Sequence, residues 1–194
     1  MKIVLYHGTD RDSEENIVNN GIDVDHNPRG GDFGVGFYLT PNLEIAKQMA
    51  LRKTFTGLIP EVVEMTLDKD FQKEVKVKDL GVLSLASSDE KLMQWAQFIV
   101  NNRCGMDYVL SVSSKHGLGE NNLNKRYDIV LGSIADGKIT KISRLCKKEK
   151  RIVTLNEAKD FLDKYYGLQY CINTEKGLSA IADYPRNKKG VSWR

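Results

Sequence analysis

The order of hydrophobic and polar positions predicts a strand at the start of the chain and a helix after it. Residues 2–6 are rich in β-branched and aromatic side chains, which is typical of a strand, and this strand would end at His7. Residues 13–21 predict a short helix, with Ser13 as its N-cap and Gly21 as its stop. The first 21 residues are therefore expected to form one strand and one helix.

A glycine-rich loop leads into a second strand and a second helix. Residues 22–35 predict the loop, and residues 37–39 predict a short strand that holds Tyr38. Thr40 and Pro41 then predict the N-cap and the first position of the next helix. The glycines before this strand are Gly30, Gly31, Gly34 and Gly36. Glycine lacks a Cβ atom, so its backbone can adopt a positive φ or lie close to a ligand, and we expect a ligand against this loop.

Apolar runs and capping signals predict the remaining elements. Strands are predicted at residues 61–67, 71–77, 127–132 and 168–173. Three helices are predicted to begin at Ser87, Thr154 and Thr174, and the first two of these N-caps belong to capping boxes. The helix from Ser87 would bury Leu92, Trp95, Ala96 and Ile99, and the helix from Thr174 would carry Leu178 and Ile181. Strands and helices do not alternate regularly, which favours an α+β fold with an antiparallel sheet.

Composition and charge limit the domain count and the class of partner. A chain of 194 residues with 41% hydrophobic content can bury one core, so we expect a single domain over residues 1–194. The formal charge is +3, which is too balanced to indicate nucleic-acid binding by the chain as a whole. Basic residues concentrate at 144–151 and 186–194, and we expect a solvated loop at the first position and a flexible basic tail at the second.

Several common kinds of site are not indicated. Three cysteines without paired spacing predict free thiols in a reducing cytosol. No apolar run is long enough for a signal peptide core or a membrane span, so we expect a soluble cytoplasmic protein without a membrane partner. His7, His26 and His116 lie far apart in the sequence, and no metal site is expected. Neither a Rossmann fingerprint, a P-loop nor a nucleophile elbow is present.

Two motifs near the start of the chain carry a family resemblance. Tyr6-His-Gly-Thr9, followed by Asp32-Phe-Gly-Val-Gly-Phe-Tyr-Leu-Thr40, resembles the first two motifs of the diphtheria-toxin and poly(ADP-ribose) polymerase branch of ADP-ribosyltransferases. More closely, the chain is similar to the bacterial DUF3990 family, which has been placed in that superfamily. Residues 95–103, 127–136 and 168–175 fit the later part of the same pattern. The order and separation of the motifs together make the resemblance specific.

The resemblance implies a split antiparallel β-sheet, or β-sandwich, with flanking helices and NAD+ in the cleft between its halves. It places His7, Tyr38 and Gln169 at the three signature positions and gives them catalytic roles. His7 would anchor the adenosine ribose, Tyr38 would stack on the nicotinamide ring, and Gln169 would bond the nicotinamide ribose. The residues expected to bind NAD+ are His7, Gly8, Thr9, Asp32, Phe33, Gly34, Gly36 and Tyr38. Arg29 is either a pyrophosphate contact or a surface charge.

Gln169 departs from the best-known relatives, where chain-building polymerases carry Glu. An amide can orient a ribose hydroxyl, but it cannot act as a base. We therefore expect mono-ADP-ribosylation of a macromolecule, with release of nicotinamide and no metal. Glu175 is an alternative acid or a solvent-facing helix residue. The acceptor stays open between protein and nucleic acid, and the resemblance also implies a toxin with an antitoxin partner.

Rival interpretations of the same residues remain open at this point. His7 could be a core histidine, Tyr38 a packing aromatic and Gln169 an ordinary polar strand residue. The missing Glu makes a non-catalytic module that binds NAD+ or ADP-ribose a second hypothesis, and an NAD+ glycohydrolase is a third. A role in nucleic-acid binding without NAD+ depends only on the basic cluster at residues 147–151.

Overall fold

The computed structural model describes residues 2–28, 30–54, 57–135, 138–162 and 167–189, together with residues 191 and 193. Its strands are β1 (Lys2–Asp10), β2 (Phe37–Leu39), β3 (Pro60–Asp68), β4 (Val77–Asp79), β5 (Ile129–Ser133), β6 (Leu168–Ile172) and β7 (Ile181–Asn187). Its α-helices are α1 (Arg11–Asn20), α2 (Leu43–Thr54), α3 (Asp89–Cys104), α4 (Met106–Ser111), α5 (Ile139–Glu149), α6 (Leu155–Asp160) and α7 (Glu175–Leu178). Short 3₁₀ turns lie at Phe71–Lys73 and Ser113–His116. This mixture confirms the α+β class.

The strands form two sheets, and a pair of backbone hydrogen bonds joins them. The first sheet has the order β1-β3-β7 and the second has the order β2-β6-β5-β4. All pairs are antiparallel except β4 with β5, so the prediction of a purely antiparallel sheet is wrong at this edge. The Tyr6 amide donates to the Thr40 carbonyl at 2.8 Å, and the Thr40 amide donates back at 2.9 Å. This pair of bonds joins β1 to the end of β2.

The second sheet is covered on both faces, which follows from the two-residue period of a strand. Ile129 and Ile172 turn toward the first sheet, where they pack in a cluster with Leu5 and Met65. Cys171, next to Ile172 on β6, turns the other way into a cluster with the helices α3, α5 and α6. The sheets therefore pack face to face, and three helices close the outer face of the second sheet.

The predicted N-caps of the first two helices are wrong by two or three residues. The Asp10 carboxylate accepts from the Ser13 amide at 3.0 Å, so Asp10 caps α1 and Ser13 lies inside the helix. The Asn42 side chain accepts from the Glu44 amide at 2.9 Å and caps α2. Thr40 lies before the cap: its backbone pairs with β1, and its hydroxyl donates to a carbonyl on β6 and accepts from the Asn42 amide at 3.2 Å. At each of these helix starts, two residues that can act as an N-cap lie close together in the sequence, and the contacts made in the folded chain decide which one is the cap.

Several other segments of the structure differ from the sequence predictions. Ser88 rather than Ser87 caps α3. The 71–77 segment is a 3₁₀ turn that leads to β4, and Ile181 begins β7 instead of continuing a helix. Residues 103–125 show no clear period in the sequence, and they include α4. Two basic segments are also ordered, because residues 144–149 lie in α5 and Arg186 lies in β7. The predictions of a solvated loop and of a flexible tail from residue 186 are therefore wrong at these positions.

The free-thiol prediction is confirmed, since Cys104, Cys146 and Cys171 are all free and buried. Within the part of the chain that the structure describes, no helix combines the length and the hydrophobicity that a membrane crossing requires.

Candidate active site

A cleft of about 380 Å³ lies beside the bridge between the two sheets. Tyr6 and Thr40, which form the bridge, both line it, together with residues of α2, α3, β6 and the glycine-rich loop. This volume falls within the range of pockets that hold small ligands. The cleft also contains the three side chains predicted as catalytic, which come from β1, β2 and β6.

His7 enters the cleft from the middle of β1, not from the strand end that the sequence predicted. Its Nδ1 lies 2.7 Å from the carbonyl oxygen of Tyr38. A carbonyl can only accept, so Nδ1 carries the proton, and Nε2 is an acceptor when the ring is neutral. The ring also stacks on Phe37, with 4.3 Å between the centroids. Both the orientation and the tautomer of His7 are thereby set by β2.

The hydroxyl of Tyr38 is fixed by two backbone groups of the glycine-rich loop. The hydroxyl donates to the Gly34 carbonyl at 2.8 Å and accepts from the Phe33 amide at 2.9 Å. Burial, reinforced by Cys171 and Asp32 nearby, raises the pKa of Tyr38 well above its ordinary value. The phenol is therefore neutral at physiological pH, and it holds the glycine-rich loop in place.

Gln169 lies on β6 opposite Gly132 of β5 and lines the same cleft. Its Nε2 atom is buried and finds no hydrogen-bond partner among the residues that the structure describes. A buried donor without a partner costs about 1–3 kcal/mol. A ligand that offers an acceptor at this point would recover that free energy.

The other predicted binding residues divide into two groups. Gly8 and Asp32 line the cleft. The four that do not line it are Thr9, Phe33, Gly34 and Gly36. Phe33 is fully buried in the core cluster under α3. Arg29 lies outside the described residues, and Glu175 is exposed at the start of α7, away from the cleft lining.

Gly8 is required by packing as well as by its place in the cleft. A Cβ atom at this position would collide with the carbonyl oxygen of Ala46 and lie 2.8 Å from the backbone nitrogen of Ala50. Both atoms belong to the backbone of α2, which cannot move aside as a side chain can. The glycine therefore lets α2 lie directly against β1 at the cleft wall.

Comparison with known proteins gives a family. A family model described as "Protein of unknown function (DUF3990)" matches residues 3–182. The chain belongs to the DUF3990 family. The match includes all the strands and helices that line the cleft, and it confirms the closer of the two resemblances. No curated protein and no solved structure matches the chain.

Side-chain amides hold the glycine-rich loop of this DUF3990 chain. Asn102 donates to the Asp32 carbonyl at 3.0 Å. Asn173 donates to the carbonyls of Phe33 and Val35 at 3.1 and 2.7 Å. These bonds come from α3 and from the residue after β6, so the loop is tied to two separate elements. The floor of the cleft is consequently fixed before any ligand binds.

Sequence reasoning missed Arg103 as a residue of the site. It is the only Lys or Arg that lines the cleft among the described residues. Its Nε donates to the Asp32 carboxylate at 2.7 Å, and its Nη1 donates to the Thr140 hydroxyl at 3.2 Å. The pattern of the sequence identified the buried face of α3, but not which residue at the end of that helix would turn to the cleft. The resemblance at residues 95–103 was the only available signal.

Proposed function

We propose that this DUF3990 protein is an NAD+-dependent mono-ADP-ribosyltransferase, with an ADP-ribosyltransferase-like fold, that modifies a macromolecule and releases nicotinamide. The observation that supports the proposal is the convergence of His7, Tyr38 and Gln169 on one cleft from three different strands. These are the three positions that the family resemblance selects. Residues that only pack or only face solvent have no reason to meet at one cavity.

Each side chain has a role that its contacts support. His7 binds the β2 backbone through Nδ1 and lines the cleft, where its ring bonds a ribose hydroxyl of NAD+. The ring of Tyr38 offers a neutral aromatic face to the cationic nicotinamide, an interaction worth about 1 kcal/mol. The buried amide of Gln169 donates to the nicotinamide ribose and gains its missing partner.

The transfer step breaks the bond between the nicotinamide nitrogen and C1′ of the ribose. The electron pair of that bond stays on nicotinamide, which leaves neutral, and positive charge develops on the ribose. An oxygen or nitrogen of the acceptor then bonds to C1′ and loses its proton. Gln169 cannot take this proton, and the Asp32 carboxylate in the cleft is held by Arg103. We expect the acceptor to release its proton to a base of its own or to water.

Labelled NAD+ tests the proposal directly. The purified protein, incubated with NAD+ labelled in the adenosine part and with cell lysate, is expected to label a macromolecule. Gln169→Ala and Tyr38→Ala should remove the label, whereas the matched control Gln72→Ala, on an exposed 3₁₀ turn, should keep it. Free ADP-ribose without labelled macromolecule would indicate a glycohydrolase. Binding of NAD+ without nicotinamide release would indicate a non-catalytic module, and either result contradicts transfer.

A toxin role and an antitoxin partner belong to the same proposal and depend on the family resemblance alone. Growth arrest on induced expression, absent for Gln169→Ala, is the expected result. Normal growth with an active enzyme in the cells would contradict the toxin role.

A further inference from the structure

Helix α5 has one apolar face and one basic face. Ile139, Ile142 and Cys146 are buried in the cluster that includes α3. Lys141, Arg144 and Lys148 are exposed, and their spacing of three and four residues places them on one side of the helix. The apolar face explains why α5 forms, but packing of the helix does not require the basic face.

Positive charge is concentrated at this helix. Residues 138–151 contain seven Lys and Arg and one acid, Glu149, whereas the whole chain has a formal charge of only +3. The remainder of the chain is therefore net acidic. Glu149 pairs with Arg151 at 2.8 Å. Among the described residues, no carboxylate lies within 4.0 Å of Lys141, Arg144 or Lys148, so these charges are not neutralised by ion pairs there.

The basic face of α5 borders the candidate active site. Lys138, Thr140, Lys141, Arg144, Leu145 and Lys148 line a hollow of about 480 Å³. Thr140 accepts the hydrogen bond from Arg103, which lines the cleft. One hydrogen bond thus connects the wall of the cleft to the wall of the basic hollow. A molecule bound along α5 would therefore lie next to Arg103, a residue of the cleft wall.

We propose that Lys138, Lys141, Arg144 and Lys148 bind the phosphate backbone of a nucleic acid, and that nucleic acid is the acceptor. The claim that nucleic acid is the acceptor rests on the proposed function, whereas the claim that α5 binds nucleic acid does not depend on it. The row from residue 138 to residue 148 is about 15 Å long on a helix, which corresponds to about four phosphates along one strand. Phosphates are bound in proteins chiefly by such Lys and Arg side chains.

The composition of the hollow favours nucleic acid over an acidic protein. Cores of protein interfaces are depleted in lysine and enriched in aromatic residues, whereas the described lining of this hollow has three lysines and no aromatic residue. Leu145 is its one apolar side chain among the described residues. Lys138 lies 3.9 Å from the Asp160 carboxylate, an exposed pair that a phosphate can replace. A partner that matches a row of cations with few apolar contacts is a regular row of anions.

Binding is measured with the full chain and a fluorescein-labelled single-stranded 20-mer, prepared as DNA and as RNA. Neutralising about four phosphates gives a slope of log K against log salt of about −3 for a single strand. The triple variant Lys141→Glu, Arg144→Glu, Lys148→Glu should bind at least tenfold more weakly, with a slope flatter than −1. The matched control reverses three exposed lysines elsewhere: Lys73→Glu, Lys91→Glu and Lys115→Glu. It has the same net charge and should lose less than threefold.

The result also separates this inference from the proposed function. Label from NAD+ that appears on the oligonucleotide, and disappears in the α5 variant, supports both. Three results would overturn the nucleic-acid inference and leave the transfer reaction standing. They are nicotinamide release with label on protein only, equal binding by the two triple variants, and tighter binding of polyglutamate than of the 20-mers. Oligonucleotide binding through α5 without nicotinamide release supports the surface, and it overturns the transfer and the acceptor role.

Discussion

At the scale of single residues, His7 connects the fold and the candidate chemistry. One ring nitrogen binds the backbone of Tyr38, and this bond links β1 to β2 next to the bridge between the sheets. The same bond fixes which nitrogen remains an acceptor. A core histidine would also make such a bond, so the two interpretations differ only in the role of Nε2.

Two substitutions separate the roles of the two nitrogens of His7. In His7→Asn the side-chain amide can replace Nδ1 as a donor to Tyr38, but nothing replaces Nε2. We expect the melting temperature to change by only a few degrees and the affinity for NAD+ to fall at least tenfold, measured by calorimetry. His116→Asn, at an exposed position, is the control and should bind NAD+ normally. Unchanged NAD+ affinity in His7→Asn would show that His7 is structural.

At the scale of elements, local pattern identified the strands β1, β3, β5 and β6 and the helix α3. Alternation and capping are local, so they can be recognised in a single sequence. The Thr154 capping box is also confirmed, with both of its reciprocal bonds present. Strand β7, which was missed, depends on a distant partner. β7 includes Pro185 and charged residues, and it pairs with β3 more than a hundred residues earlier.

Ion pairs explain why the basic end of β7 is ordered. Arg186 and Lys188 bind the buried Glu64 carboxylate at 2.7 and 2.6 Å. These contacts, with Lys188 contributing most, lower the pKa of Glu64. Glu64 lies on β3, and its sequence neighbourhood gives no indication of these partners. The same limit applies to the candidate site. The motifs indicate His7, Tyr38 and Gln169, whereas Arg103 can be identified only once the position of α3 in the fold is known.

The start of α6 gives a prediction about pH. Glu157 accepts two bonds from Arg151, both 2.8 Å long, and one from the Thr154 amide. Arg151 holds the pKa of Glu157 at about 2, below the unfolded value of about 4.3. The ionised form therefore favours folding, and this contribution is complete above about pH 4.3 and is lost as the pH falls toward 2.

Denaturation of Glu157→Gln at several pH values checks this contribution. Because the pair is partly exposed, we expect the variant to lose about 1–2 kcal/mol of unfolding free energy at pH 7. The difference from the original protein should shrink between pH 5 and pH 2. Glu149→Gln removes the more exposed partner of the same arginine and should cost less than about 0.5 kcal/mol. A pH-independent difference would contradict the account.

At the scale of the whole molecule, two sheets, one bridge and one loop define the cleft. The sheets hold His7 and Gln169 on opposite sides of the bridge, and Tyr38 ties the loop to β2. Asparagines of α3 and of the segment after β6 hold the loop from behind. The basic face of α5 lies next to this arrangement through Arg103 and Thr140. The proposed donor and acceptor sites are therefore neighbours.

A crystal structure of the protein soaked with a non-hydrolysable NAD+ analogue tests the central claim most directly. We expect the dinucleotide in the cleft, with a ribose hydroxyl within hydrogen-bond distance of His7 Nε2. The nicotinamide ring should lie against Tyr38, and its ribose should accept from Gln169 Nε2. An analogue bound elsewhere on the protein, or a cleft that stays empty at millimolar concentration, would contradict the claim.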